Sequence, residues 1–273
     1  MVFAEMLVGA VIVLAGCGRS TSSGDHGCDP NKQKCSNTQS TIGRAIVGST
    51  GTSPSRESYW PELTARYVTA VPVVLAQIQA ISKYRSCAGH DRAGYDFSGT
   101  LETNRSMKHY LLPIAQLQGT LDKVKVFAPF DGTVVRLEME KDTVGGRPHN
   151  GNGISFSTAR DPNVQFQFGH VYFARDFKMG DAVEAGELIG FAALGETAND
   201  FDIDLFGQTP TGREVIYGSV FEHMTPTVLA AFAAVGVTPA NVELTKADRD
   251  ARPCDFAAGN WRPDADWVTL KQQ

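Results

Sequence analysis

The feature that most constrains the fold is a pair of similar β-rich segments in the middle of the chain. The first arm, residues 124–135, reads VKVFAPFDGTVV, and the second arm, residues 177–190, reads FKMGDAVEAGELIG. In both arms, short runs of strand-forming residues are separated by Pro, Asp-Gly, Gly-Asp or Ala-Gly turns, and the runs are too short to be helices. We therefore predict a compact β-structure over residues 124–206 around which the rest of the chain is organised.

Two segments near the arms alternate between apolar and polar side chains. Residues 165–172 read QFQFGHVY and residues 200–206 read DFDIDLF. Because successive side chains of a strand point to opposite faces, each segment predicts a strand with one face in the core. The other face carries Asp202 and Asp204 in the second strand, and His170 lies within the first strand. These three residues are candidates for a functional site.

Composition excludes some classes of partner. The chain has 273 residues, a formal net charge of −5 and no cluster of Lys and Arg. Nucleic acid is therefore not expected as a partner, because its recognition requires a basic surface.

The N-terminal residues predict export. Residues 6–14 read MLVGAVIVL, an apolar run of signal-peptide length. The last residue of this run begins the motif LAGC at 14–17, which ends at Cys17. This ending resembles the lipobox of bacterial lipoproteins, which implies lipidation of Cys17 and contact with a membrane through the lipid anchor only. An ordinary cleaved signal with an incidental cysteine is the alternative. We expect an exported, membrane-anchored lipoprotein in the periplasm or at the cell surface.

With Cys17 assigned to lipid, an even number of cysteines remains for an oxidising compartment. Of the three pairings that four cysteines allow, we favour Cys28 with Cys35 and Cys87 with Cys254. A zinc site made of these cysteines is the alternative, although the chain has no C-x-x-C spacing.

Five regions follow from these patterns. Residues 1–17 are the signal peptide, and residues 18–58, which are polar and rich in small residues, form a flexible tether. Residues 59–108 contain an amphipathic helix over 60–84, kinked at Pro72, and then a loop. Residues 109–218 form the β-domain, and residues 219–273 contribute a helix over 220–236 and a final docking strand over 267–270. The predicted class is mainly β with flanking helices (α+β).

Several motifs in the β-domain occur together in one known family. They are APFDGTV at 128–134, GNGI at 151–154, FGHV at 168–171 and GDAVEAGELIG at 180–190. In this order they resemble the duplicated hybrid motif (barrel-sandwich hybrid) domain of lysostaphin-type peptidoglycan endopeptidases. The resemblance implies a β-domain of that type and, in the family, a zinc site that activates water.

The metal ligands of that family are only partly present. The family uses an H-x-x-x-D segment and the second His of H-x-H as zinc ligands, and two further histidines assist the attacking water. Here His109 fits the first position, but Pro113 stands four residues later and Asp202 and Asp204 replace H-x-H. His170 fits one of the assisting histidines, and it is the catalytic candidate if the protein is active.

Three interpretations of this site remain open. The first is that the site is inactive. The second is a changed metal site, whose carboxylates would suit a hard cation such as calcium or magnesium better than zinc. Its ligands would be His109, His170, Asp202 and Asp204, together with Asp200 or a loop carboxylate. In the third, a working hydrolase draws its ligands from elsewhere, such as His90, Asp91 or His149. We expect no cofactor, and a non-catalytic protein that binds cell-wall glycopeptide or an envelope protein. A divergent metallopeptidase and a structural lipoprotein whose groove is filled by residues 86–105 are the alternatives.

The two arms also look like the lipoyl-like halves of periplasmic adaptor proteins of efflux pumps. Those adaptors place a coiled-coil hairpin between the halves. The segment between the arms here contains several residues that disfavour helices, among them Gly145, Gly146, Pro148, Gly151, Gly153 and Pro162. A carrier role is disfavoured because the Asp131-Gly132 turn has no Lys.

Overall fold

The computed structural model describes residues 61–144, 146–195, 199–209, 215–258 and 264–272. The predicted signal peptide, the tether, Cys17, Cys28 and Cys35 lie outside these residues, so what the sequence suggests about them stays a prediction. No helix within the described residues is long and apolar enough to cross a membrane.

Strands make up most of the described regular structure. In chain order they are β1 (Ile78–Ser82), β2 (Tyr95–Asp96), β3 (His109–Pro113), β4 (Lys125–Phe127), β5 (Gly132–Glu138), β6 (Thr143–Val144), β7 (Arg147–Pro148), β8 (Asn152–Thr158), β9 (Gln165–Phe173), β10 (Ala182–Val183), β11 (Leu188–Ala192), β12 (Phe201–Gln208), β13 (Val215–Gly218) and β14 (Trp267–Thr269). The helices are α1 (Pro226–Ala234), α2 (Pro239–Val242) and α3 (Lys246–Asp250), with short 3-10 turns elsewhere. The mainly β class is confirmed.

One large sheet contains the strands that matter for the site. Its main path runs β10-β5-β8-β9-β12-β3-β1-β14, and β11, β4, β13 and β2 join at the sides. Among the described strand pairs, β13 with β2 is parallel and the others are antiparallel. The centre of this path, β8-β9-β12-β3, buries an apolar face that includes Phe156, Phe166, Phe168 and Ile203.

The two arms are paired with each other. Strand β4 of the first arm pairs with β11 of the second, and β5 pairs with β10. The turns are joined as well. The Ala128 N–H donates to the Glu187 carbonyl oxygen, and the Ala128 carbonyl oxygen accepts from the Gly186 N–H. The Asp131 carboxylate accepts from the Ala185 N–H at 2.7 Å. Similar sequences thus form one interlocked β-unit.

The predicted helix over residues 60–84 is wrong. The segment is extended, with one 3-10 turn at Leu75–Gln77 before strand β1. Its carbonyl at Pro72 accepts from the Phe127 N–H at 2.9 Å, and Val73 forms a bridge to Val126. Pro72 and the many β-branched residues disfavour a helix here, and pairing beside the first arm supplies the backbone hydrogen bonds instead.

The C-terminal predictions agree with the structure in two respects. Helix α1 lies within the predicted 220–236 segment, and β14 pairs with β1 through Ala80 and Thr269. A disulfide joins Cys87 to Cys254 across 167 residues, as favoured from the sequence. The predicted boundaries of the five regions are not tested by these observations and stay predictions.

Candidate functional site

A polar groove of about 630 Å³ opens on the face of the central strands opposite the apolar core. Its floor consists of Lys108, Gly153, Gln167, Gly169, His170 and Asp202. His90 and Arg92 line one side, residues 138–142 line another, and residues 150–152 complete it. The segment 86–105 therefore contributes a wall of the groove and does not fill it.

Strand β12 brings the two predicted carboxylates to this face. Phe201, Ile203 and Leu205 enter the core, and Asp202 and Asp204 point the other way with 2% and 1% of their surface exposed. Gly169 lies opposite Asp202 in the sheet, and a Cβ atom there would lie 2.8 Å from Asp202 Oδ1. A glycine at position 169 is thus required to leave room for the carboxylate.

Asp202 is paired with a buried lysine. Lys108 Nζ lies 3.0 Å from Asp202 Oδ2 and 4.7 Å from the centre of the Tyr110 ring. Burial alone would raise the pKa of Asp202, but the positive charges around it, Lys108 foremost, together outweigh burial and hold that pKa below its ordinary value. Burial likewise works to lower the pKa of Lys108, and the surrounding acidic groups, Asp202 foremost, together raise it overall. Both groups are therefore charged at neutral pH.

Asp204 is paired with an arginine from the groove wall. Arg92 Nη2 donates to Asp204 Oδ2 at 3.2 Å, and the guanidinium lies over the Tyr217 ring. Burial raises the pKa of Asp204, and Arg92 offsets this only in part. Asp204, like Asp202, is thus in an ion pair with a cationic side chain of the protein.

His170 reaches the groove because of a bulge in β9. Regular alternation after Phe168 and Gly169 would place His170 in the core, but Val171 is the residue buried there. The pairing of β9 with β8 shifts register at this point, and His170 has a φ of 60°. Such a φ is uncommon for a residue with a side chain. The imidazole lies with Nε2 3.5 Å from Asp202 Oδ2 and Nδ1 2.9 Å from the Asn150 carbonyl oxygen.

The structure does not bring His109 to the two carboxylates. In β3 it pairs with Ile203, so its side chain enters the core on the opposite face. The ring lies 5.0 Å from that of Phe221, and Nδ1 lies 2.8 Å from the Ser82 carbonyl oxygen. Burial lowers the pKa of His109 to about 4, against the weaker opposing effect of that hydrogen bond.

The structure also shows where the other candidate ligands, His90, Asp91 and His149, lie relative to the groove. His90 lies at the groove, with burial and then Lys108 lowering its pKa. The Asp91 carboxylate accepts from the Arg105 N–H at 3.3 Å, and neither Asp91 nor His149 belongs to the groove lining. Only His90, His170 and Asp202 among the candidate ligand residues therefore line the groove.

These donors do not fit a zinc site. Zinc requires deprotonated or neutral donors that converge on one point, whereas the ammonium of Lys108 and the guanidinium of Arg92 have no free lone pair to offer. Each of these cations is bonded to one of the two carboxylates. Across the described residues, no three His, Cys, Asp or Glu side chains are grouped in a way that could hold a metal ion.

Lys108 and Arg92 were missed by the sequence reasoning, although each left a signal. Lys108 is two residues from Tyr110, so both share the strand face that pairs with the carboxylate face of β12. Arg92 precedes Asp96 by four residues, which is the spacing of H-x-x-x-D with arginine in place of histidine. In the structure, the Asp96 carboxylate accepts hydrogen bonds from the backbone N–H groups of Ser98 and Thr100 in a turn.

Solved structures similar to this chain include domains of lysostaphin-type peptidases. The catalytic domain of lysostaphin from Staphylococcus simulans has 19% identity and a TM-score of 0.29, over 46% of this chain and 84% of that one. A zinc-containing peptidase from Vibrio cholerae has 14% identity and a TM-score of 0.26, over 47% and 37%. Helicobacter pylori Csd3 has 12% identity and a TM-score of 0.32, over 77% and 49%.

The chain spans less than half the length of the last two of these structures. No family model matches the chain. No curated protein matches it either. With TM-scores near 0.3, the structural similarities do not establish a family.

Proposed function

We propose that this protein is a non-catalytic lipoprotein of the cell envelope that binds cell-wall glycopeptide through the groove. The observation that carries this proposal is the pairing of Asp202 with Lys108 and of Asp204 with Arg92. Both carboxylates that would have to bind a metal are neutralised by cations of the chain itself. His109, which the sequence suggested as a third ligand, lies on the other face of the sheet.

The groove itself supports a binding role. Its lining combines amide side chains, charged groups and glycines, and the polar groups suit the hydrogen-bonding groups of peptides and sugars. Met139 adds an exposed apolar contact at the wall, with 58% of its surface accessible. A purely structural protein would have no need to keep such a groove open.

A pull-down assay tests the proposal. The purified full-length chain is mixed with insoluble peptidoglycan sacculi, and we expect the chain to sediment with them and the sacculi to stay intact. Met139→Ala should weaken binding a few-fold because it removes apolar contact area. Met179→Ala is the matched control, since Met179 is similarly exposed at 61% and does not line the groove.

The alternatives predict different results. Release of soluble fragments that a chelator abolishes would identify a metal-dependent hydrolase and overturn the proposal. An absence of sedimentation with sacculi would favour a structural lipoprotein or a protein partner. Equal binding by Met139→Ala and Met179→Ala would place the binding surface outside the groove.

A further inference from the structure

A second cavity, of about 320 Å³, lies against the disulfide between Cys87 and Cys254, and both cysteines line it. Neither cysteine is completely buried. The rest of the lining consists of Arg249, Arg252, Pro253, Asp255, Ala265 and Asp266. Exchange of a disulfide requires that a thiolate reach one of its sulfur atoms. The cavity gives a thiol this access while the chain stays folded.

The two sulfur atoms of this disulfide have opposite polar neighbours. Arg249 Nη1 donates to Cys87 Sγ at 2.7 Å, whereas Cys254 Sγ lies 3.5 Å from the Ser86 carbonyl oxygen. An adjacent guanidinium stabilises a thiolate, and the partial negative charge of a carbonyl oxygen opposes one. When the disulfide opens, negative charge is therefore better placed on Cys87 than on Cys254.

The guanidinium of Arg249 is held in position before any reaction. Arg249 is 6% exposed, its Nε donates to the Arg85 carbonyl oxygen at 2.7 Å, and its Nη2 donates to Asp266 Oδ2 at 2.7 Å. Asp266 compensates part of the positive charge, but Nη1, the nitrogen at Cys87, has the neutral Arg252 carbonyl oxygen as its other acceptor. The contact with sulfur is thus preformed and does not depend on a rearrangement.

The surroundings of the two cysteines also favour attack at Cys254. Cys254 lies between Pro253 and Asp255, which are both exposed. Cys87 lies between Ser86 and Ala88, which are both 0% exposed. A thiolate that approaches the exposed segment meets Cys254 first, and the sulfur that then leaves is the one beside Arg249.

We infer that Cys254 is a site of thiol–disulfide exchange with a dithiol and that Cys87 is the leaving thiolate. One thiolate of the dithiol attacks Cys254 Sγ, a mixed disulfide forms, and the electron pair of the broken bond remains on Cys87 Sγ. The second thiolate of the dithiol then attacks the dithiol sulfur of the mixed disulfide and releases Cys254. Two electrons pass from the dithiol to the chain, and its two protons end on Cys87 and Cys254. The inference does not depend on what the groove binds.

Reaction of the oxidised full-length chain with reduced glutathione tests the direction of attack. Because glutathione is a monothiol, the reaction stops at the mixed disulfide. The sample is quenched with acid, free thiols are labelled with N-ethylmaleimide, and peptides are mapped by mass spectrometry. We expect about tenfold more glutathione on Cys254 than on Cys87, since the better-stabilised thiolate leaves faster. In urea the two cysteines should react about equally, because unfolding removes the contact with Arg249.

Two arginine variants test the cause of this preference. Arg249→Gln should reduce the ratio of glutathione on Cys254 to that on Cys87 towards the value in urea. Arg252→Gln is the matched control, because it removes the same charge from an exposed position in the same cavity and should keep the ratio. A ratio unchanged by Arg249→Gln would overturn the inference. So would equal reaction of both cysteines in the folded unaltered chain, or reaction only after urea is added, and these two outcomes need no variant.

Discussion

The ammonium of Lys108 and the carboxylate of Asp202 lie 3.0 Å apart, with side chains that are only 7% and 3% exposed. A pair buried to this extent is held by mutual attraction, and removal of one partner leaves the other charge without compensation in a poorly solvated place. Its individual members are therefore far more important for stability than those of a surface pair.

We predict that Lys108→Met lowers the free energy of unfolding by about 3–5 kcal/mol, the usual effect of leaving one buried charge unpaired. Denaturant unfolding at neutral pH measures this change. The double variant Lys108→Met with Asp202→Asn should recover a large part of the loss, because the unpaired carboxylate is gone. Lys178→Met, at an exposed position, is the control. A single variant as stable as the unaltered chain would contradict the pairing.

His109 predicts a loss of stability in acid. Burial lowers its pKa to about 4, whereas an unfolded histidine titrates near 6.5. The neutral His109 therefore contributes to the free energy of unfolding fully above pH 6.5, and this contribution is lost as the pH falls towards 4. In that range the unfolded chain binds the proton more readily than the folded chain does. The loss should amount to about 3 kcal/mol. His109→Gln should show a shallower decline of the unfolding free energy over that range, and a decline as steep as that of the unaltered chain would contradict this prediction.

Glu243 predicts the opposite dependence. Burial, together with the Glu222 carboxylate and despite a hydrogen bond from Ser219, raises the pKa of Glu243 to about 7. The folded chain therefore holds this proton more tightly than the unfolded chain. The resulting stabilisation is complete below the unfolded pKa and is lost as the pH rises through about 7. Glu243→Gln, which can still accept from Ser219, should raise the melting temperature at pH 8 more than at pH 5. An equal shift at both values would contradict this prediction.

The disulfide between Cys87 and Cys254 closes a long loop, with a sequence separation of 167 residues. Linking residues so far apart restricts the unfolded chain, and removal of such a bond typically costs about 2–5 kcal/mol. We predict a loss of this size in the Cys87→Ser and Cys254→Ser double variant. Thermal unfolding with and without reductant measures it. The reductant should lower the melting temperature of the unaltered chain and leave that of the double variant unchanged.

The strands could be predicted where local pattern and tertiary pairing agree. The alternation around Asp202 and Asp204 identified β12 and the face of its carboxylates, and the turn residues of the arms identified their strands. The helix prediction for the segment before β1 was wrong because the apolar spacing of an extended segment can also fit a helix. Pairing of Val73 with Val126, which is invisible in the local pattern, determined the outcome.

The site was only half predictable for a similar reason. The sequence indicated that His170, Asp202 and Asp204 share a region, but not which side chains complete it. Arg92 and Lys108 reach the carboxylates from a loop and from the residue before β3. The spacing of each residue gives a local signal, but that signal does not identify the distant segment with which the residue forms an ion pair. His109 was misplaced because its neighbour Lys108, not His109 itself, lies on the groove side.

The pairing of β1 with β14 sets an order of events in folding. Ala80 meets Thr269, and the Gln272 amide donates to the Ile78 carbonyl oxygen at 3.0 Å. Until residues beyond 266 are available, β1 is an open sheet edge, and such edges pair readily with other chains. A chain that is still being synthesised is therefore open to pairing with a neighbouring chain along β1 until residues 267–269 close that edge.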